Sequence, residues 1–192
     1  KKLVSGELVL IDAACELEGY ASDVTRTYPV NGSMQGPARA LYEVVLAAQE
    51  TSLQACRPGV TLDEIHDAAV RSLVEGLVDL GLLEGDVEEL IAEDACRPYY
   101  MHRTSHWLGL DAHDVGNYSV GGKPRALEPG MVFTVEPGIY VADDDENASA
   151  EFRGIGVRIE DDVVITEDGY ENLTAAIPKH PADLEAWMRD AD

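Results

Sequence analysis

The sequence predicts an α+β fold, with strands toward both ends of the chain and helices between them. Three observations predict it. The first thirty residues are rich in Val, Thr and Tyr around Gly19, positions 37 to 96 carry apolar residues at helical spacing, and strand-like runs return after Met131. One domain, residues 1–192, fits the length, because 192 residues of which 45% are hydrophobic can bury a substantial single core.

Leu8 to Leu17 and Tyr20 to Val30 read as two strands joined through Gly19, most simply as a hairpin. Such a hairpin puts Asp12 and Asp23 on neighbouring strands, where cross-strand side chains can share one site. From Pro37 to Cys56, Leu41, Val44, Val45, Ala48 and Leu53 fall mostly on one helical face, and Pro58-Gly59 stops the helix. Thr61 and Glu64 form a T-x-x-E capping box for a second helix, whose stripe of Ile65, Ala68, Ala69, Leu73 and Leu77 runs on to Gly81. A third, shorter helix is expected from Asp86 to about Cys96, with Glu89 three residues after the acidic cap. Beyond Pro98 the chain is dense in Gly, His and aromatic residues. Strands are then expected near Met131 to Val141 and Gly156 to Thr166, with a short helix over Pro181 to Asp192.

Charge narrows the function. With 37 acidic against 14 basic residues the formal net charge is −23, so a phosphate backbone would be repelled and nucleic acid is excluded as a partner. The run Asp143 to Glu146 reads as a solvated loop. No apolar run approaches the length needed to span a bilayer, so a soluble, cytoplasmic protein without a membrane partner is expected. The three cysteines, Cys15, Cys56 and Cys96, form no CxxC pair and read as buried or inert thiols rather than disulfides or a zinc cage.

Against that background, charged residues inside apolar runs stand out. Asp12 in LVLIDAACE, Asp23 in YASDVTRTY, His106 in HRTSHWLGL, Glu136 in FTVEPGIY and Glu160 in GVRIEDDVV all lie where an isolated charge would be costly. Taken singly, each acid reads as solvated and His106 as a hydrogen-bonded core histidine. Taken together, carboxylates with one imidazole suit hard or borderline divalent ions, and four acids supply enough oxygen for two ions with bridging ligands. His66 and His180 read as structural or exposed.

The stretches IDAACELEGYASDVTRTYPVNG, YYMHRTSHWLGLDAHDVGNY, LEPGMVFTVEPGIYV and FRGIGVRIEDDVVITEDGYENLT resemble the M24 metallopeptidase family. This is the pita-bread fold of Xaa-Pro aminopeptidases, prolidases and methionine aminopeptidases, and the likeness lies nearest the bacterial Xaa-Pro branch. The resemblance implies a curved antiparallel sheet covered by helices, of which this chain would be the carboxy-terminal part, incomplete on its amino-terminal side. It implies two divalent ions, Mn²⁺ first and Co²⁺ or Zn²⁺ as alternatives. Asp12 would ligate one ion, His106 and Glu136 the other, and Asp23 and Glu160 would bridge. Glu136 would also handle the proton, His113 would stabilise the tetrahedral intermediate, and His102 would line the same pocket. Arg158 would orient carboxylates or make a structural ion pair. The substrate implied is a peptide with proline second, and the full-length protein would be a homo-oligomer, a dimer or tetramer. The alternatives are a dipeptidase of the prolidase kind and, further off, a pita-bread module that has lost catalysis. Tyr99, Tyr100 and Tyr118 can be pocket walls, although core packing is the better expectation.

Overall fold

The hairpin expected at the start is present and more segmented than its sequence suggests. In the computed structural model, which describes residues 2–190, β1 (Leu8–Ala13) pairs antiparallel with β4 (Val24–Pro29), from Leu8↔Pro29 to Ala13↔Val24. Between them lies a tight excursion of two-residue strands, β2 (Glu16–Leu17) and β3 (Tyr20–Ala21), turning at Glu18 and Gly19 with φ of 54° and 88°. Positive φ suits glycine at Gly19. Asp12 faces Thr25 across the ladder, and Asp23 lies just beyond its last pair.

The helices follow their end signals. α1 (Gly36–Ala55) starts with proline in its first turn, and α2 (Leu62–Asp79) starts at the capping box, with Thr61 and Glu64 bonded reciprocally. α3 (Val87–Ala92) is shorter than expected. Asp86 caps it by accepting from the Glu88 and Glu89 amides, but the chain leaves the helix before Cys96. A closing helix, α4 (Pro181–Asp190), takes up the expected terminal segment, whose last two residues lie outside the described ones.

The later strands are broken where continuous ones are expected. Following a two-strand ribbon of β5 (Ser119–Val120) and β6 (Lys123–Pro124), the run from Met131 to Val141 divides into β7 (Val132–Val135) and β8 (Gly138–Tyr140). The run from Gly156 to Thr166 divides into β9 (Gly156–Arg158) and β10 (Asp161–Ile165), and β11 (Tyr170–Asn172) completes the set. β10 lies between β7 and β11, while β8 pairs with β9. Pro137 explains one break, because it has no N–H for a ladder and restricts the residue before it. Glu136 and Glu160 therefore sit at the two strand breaks.

Two apolar clusters hold these pieces. Leu41, Tyr42, Val45 and Ala48 of α1 pack with Leu73, Val74 and Leu77 of α2 and with Ile139, Val157 and Ile159 beneath. Leu53, Ile65, Trp107, Phe133, Val135, Val163 and Ile165 form the second cluster. Tyr99 and Tyr100 belong to the core, whereas Tyr118 is 49% exposed. The helix pair depends on Gly76, where an added Cβ would lie 2.3 Å from Val44 Cγ1. Gly76→Ala is expected to destabilise the protein by about 1–2 kcal/mol, because overpacking against a stiff β-branched side chain outweighs the helix propensity gained. Thermal melting checks this; an unchanged or raised midpoint would mean that Val44 moves aside.

A buried polar hub ties the hairpin to β10. Asp161 is fully buried and takes hydrogen bonds from Arg26, Gln49, Asn172, Thr174 and Lys179. Burial alone would raise the Asp161 carboxyl, but Arg26 and Lys179 outweigh it and hold it well below the carboxylate range. Arg26 also donates from Nη1 to the Thr25 and Glu160 carbonyls, which fixes β4 beside the break that carries Glu160.

Among the cysteines, Cys56 and Cys96 are buried, and burial pushes the Cys56 thiol up to about 12. Cys15 is free and exposed in the β1–β4 excursion, because its strand run breaks off at Ala13.

Candidate metal centre

Four structural pieces bring the singled-out residues together. The hairpin supplies Asp12 and Asp23; the extended segment 104–106 supplies His106; the β7–β8 break supplies Glu136; and the β9–β10 break supplies Glu160. Backbone hydrogen bonds set their alignment. Glu136 N–H donates to the Thr104 carbonyl at 2.8 Å, Thr134 N–H to the His106 carbonyl at 3.0 Å, and Glu160 N–H to the Thr25 carbonyl at 3.1 Å.

The donor atoms converge in three overlapping groups, each within 4.8 Å: Asp12, Asp23 and Glu160; His106, Glu136 and Glu160; and Asp23, His106 and His113. Glu160 belongs to the first two, and Asp23 and His106 connect the third to both. His106 Nε2 lies 3.5 Å from Asp23 Oδ2 and 3.4 Å from Glu136 Oε1. Its Nδ1 lies 3.0 Å from the Trp107 carbonyl, and that contact directs Nε2 toward the carboxylates.

Crowding of like charge is visible in the electrostatics. Burial, then the neighbouring Glu136, push the Glu160 carboxyl up to about 8. Burial pushes Glu136 up to about 7, against the pull of Arg158 and Thr134. Burial and the adjacent Asp12 raise Asp23 as well, while burial lowers His106. Acids forced upward beside an imidazole forced toward neutrality form a donor set deficient in positive charge. An oxygen-rich set with one imidazole and no thiolate fits hard or borderline divalent ions, and a shared carboxylate fits two of them.

Asp12 departs from expectation in one respect. Its side chain is 48% exposed rather than buried, because the outer half of β1 faces away from the core, and Arg158 Nη2 holds its Oδ2 at 2.5 Å. Arg158 spreads its other donors to Tyr140 Oη and Thr25 Oγ1, so it orients a single carboxylate rather than gripping one with both arms.

His102 and His113 stand in the wall of a cavity of about 720 Å³ that also exposes His106, Glu136, Tyr118 and Arg158. The His113 ring meets that of His106 edge-on at 4.3 Å. His102 Nε2 is 2.8 Å from Tyr140 Oη, and its Nδ1 is 3.8 Å from Glu136 Oε2. His180 is exposed, 3.5 Å from Glu50, as expected of a residue outside the motifs.

Reasoning from sequence missed several supporting groups. Thr25 Oγ1 donates to Glu160 Oε2, and Thr134 Oγ1 to Glu136 Oε1. Asp162 Oδ2 accepts the Asp23 N–H at 3.1 Å, while its buried Oδ1 has no protein partner among the described residues. Tyr140 ties Arg158 to His102. Threonine recurs two residues after Asp23 and two before Glu136, on the same strand face as the acid, and that period was the only available signal.

The model of metallopeptidase family M24 matches residues 1–167. The chain belongs to that family. M24 membership agrees with the donor set in implying a site for two divalent ions. Over 95% of its length the chain is 57% identical to an Xaa-Pro aminopeptidase of Escherichia coli, and over 98% it is 51% identical to one of Haemophilus influenzae. A Pseudomonas aeruginosa aminopeptidase superposes with a TM-score of 0.96 at 55% identity, covering 97% of this chain and 42% of that one. An Escherichia coli aminopeptidase P variant in complex with substrate gives the same score and identity over the whole chain. The likeness fixes the pita-bread fold. The M24 chain described here spans about two fifths of the length of these relatives, 41% and 43% of the two curated ones.

Proposed function

We propose that the intact protein is a two-metal aminopeptidase that releases the first residue from peptides with proline in second position. The observation that carries this reading is the set of overlapping donor groups, two of them sharing Glu160, whose His106, His113 and Glu136 open onto the 720 Å³ cavity. The identity to Xaa-Pro aminopeptidases supports it. Asp12 would hold one ion, His106 and Glu136 the other, and Asp23 and Glu160 would serve both. Mn²⁺ is the ion we assign, Co²⁺ and Zn²⁺ being compatible with the same donors. Bound there, the ions would polarise the scissile carbonyl and acidify a water.

The chain's own groups supply the rest. Proton transfer we assign to Glu136, which opens onto the cavity with one oxygen near the His106 imidazole and the other near that of His102. His113 is exposed to the cavity beside His106 and would donate from its ring to the carbonyl oxygen as charge develops. His102, braced by Tyr140, would line the same pocket. Arg158 would keep Asp12 turned inward.

We read residues 1–192 as the carboxy-terminal part of one catalytic domain, supported by the share of the relatives they match. Free thiols, one of them exposed, suit the reducing cytoplasm. No helix among the described residues is long and apolar enough to cross a membrane. We assign a peptide as the partner and a homo-oligomer as the working state.

Turnover of an Xaa-Pro-Yaa tripeptide by the intact protein tests the reading. Cleavage after the first residue should vanish on chelation and return with Mn²⁺. His113→Ala should keep both ions and lose about 10²–10⁴ in rate. Turnover unaffected by chelation would sink the metal mechanism, and hydrolysis of dipeptides alone would make the enzyme a prolidase.

A further inference from the structure

The first turns of α2 carry none of the converging donors, yet two of their side chains hold the segment that does. Asp63 and His66 are three residues apart and share a helix face. Asp63 accepts a charge-assisted hydrogen bond from Arg103, and His66 Nδ1 lies 2.8 Å from Thr104 Oγ1. Tyr100 completes the contact, with its hydroxyl 2.7 Å from the same Thr104 oxygen and its ring 5.7 Å from that of His66.

Thr104 is fully buried, so its hydroxyl depends on these partners. A threonine hydroxyl accepts and donates, which lets Tyr100 donate to Thr104 and Thr104 donate to His66 Nδ1. Burial, reinforced by Arg103, brings His66 down to about 4, leaving its ring neutral at pH 7 and able to accept. The Thr104 backbone continues the connection, since its carbonyl receives the Glu136 amide two residues before the His106 carbonyl receives that of Thr134. The alignment of 104–106 on 134–136 therefore decides where His106 meets Glu136.

We infer that His66 is a positioning residue: through Thr104 it fixes the segment carrying His106 against the strand end carrying Glu136, with Asp63–Arg103 as a weaker second anchor. The inference deepens the two-metal peptidase reading and rests on it. Exposed ion pairs contribute little, and Asp63 and Arg103 are both more than half exposed, so the weight falls on the buried His66–Thr104 contact.

The test uses the intact protein, with Mn²⁺ affinity, kcat, KM and melting temperature measured for each variant. His66→Ala should lower kcat about tenfold, as expected for a displaced acid–base group, and weaken Mn²⁺ binding, with little change in KM. His66→Asn, which keeps a polar atom near the Nδ1 position, should recover most of the rate, whereas His66→Gln, which reaches toward Nε2, should not. Combining His66→Ala with Thr104→Val should cost no more than the worse single change, as for residues acting as a unit. Variants that melt lower but turn over alike, with Asn and Gln indistinguishable, would overturn the inference. Were His66→Ala not to fold, the Asn and Gln comparison decides alone. A wild type that neither binds Mn²⁺ nor cleaves the tripeptide would instead reject the peptidase reading itself.

Discussion

Glu160→Ala is expected to bind fewer than two Mn²⁺ ions per chain and to lose at least about 10³-fold in peptide turnover, because a two-metal reaction loses an ion with its shared ligand. The size follows from position. Glu160 is 2% exposed and is the acid common to the Asp12–Asp23 group and the His106–Glu136 group. Removing it takes an oxygen from both ions. The empty place should not unfold the protein, because Arg26 still holds the backbone carbonyl at 160 and Asp161 keeps its own partners. Without added metal the variant should melt slightly higher above about pH 8, where Glu160 would be ionised and its removal relieves carboxylate crowding. Calorimetric titration with Mn²⁺ and a melt in chelator check both parts. Two ions bound with unchanged affinity would remove Glu160 from the ligand set.

The second large effect concerns pH and metal together. In the metal-free fold Glu136 and Glu160 hold protons to about pH 7 and 8, well above an ordinary 4.5. Their folded pKa values are raised, so their contribution to stability is complete below about pH 4.5 and is lost as pH rises through 7 and 8. Between about pH 4 and 6.5 the buried histidines oppose this trend. Burial lowers His66, His102 and His106, so their contribution is present above 6.5 and is lost on acidification. Asp161, depressed by Arg26 and Lys179, changes only in stronger acid. From pH 6.5 to 8 the two glutamates therefore dominate, and the chelated protein should lose on the order of 2 kcal/mol across that interval. Metal binding needs the deprotonated carboxylates, so Mn²⁺ affinity should rise over the same interval. The gap between melting temperatures with Mn²⁺ and with chelator should accordingly widen from pH 6.5 to 8. A gap that stays constant would mean that the raised carboxylates are not the ones the metal engages.

The capping box at Thr61 and Glu64, the proline start of α1 and the first hairpin were readable in the sequence, because caps and β-branched runs act over a few residues. The breaks at Glu136 and Glu160 were not. Pro137 marks a weak point beside Glu136 but does not say where the chain goes next, and each strand ends because its ladder partner changes from β10 to β9 or from β8 to β7. The burial of Asp12 was overestimated for a related reason, since period-two alternation says which residues share a face and not what covers it.

By itself, then, the sequence determined the helices with their ends, the strand-rich hairpin, and the identity of the acids and the histidine whose setting was too apolar for isolated charge. These rest on local terms: periodicity, caps, and the cost of burying a carboxylate. Only the tertiary structure decided that the hairpin, the 104–106 segment and two strand breaks meet at one point, that Glu160 is the shared acid, and that His66 acts as an anchor beneath the wall. Those facts depend on contacts between residues far apart in the chain, such as Asp12 with Arg158, 146 positions away, and side-chain pairs at that separation leave no period in the chain to read.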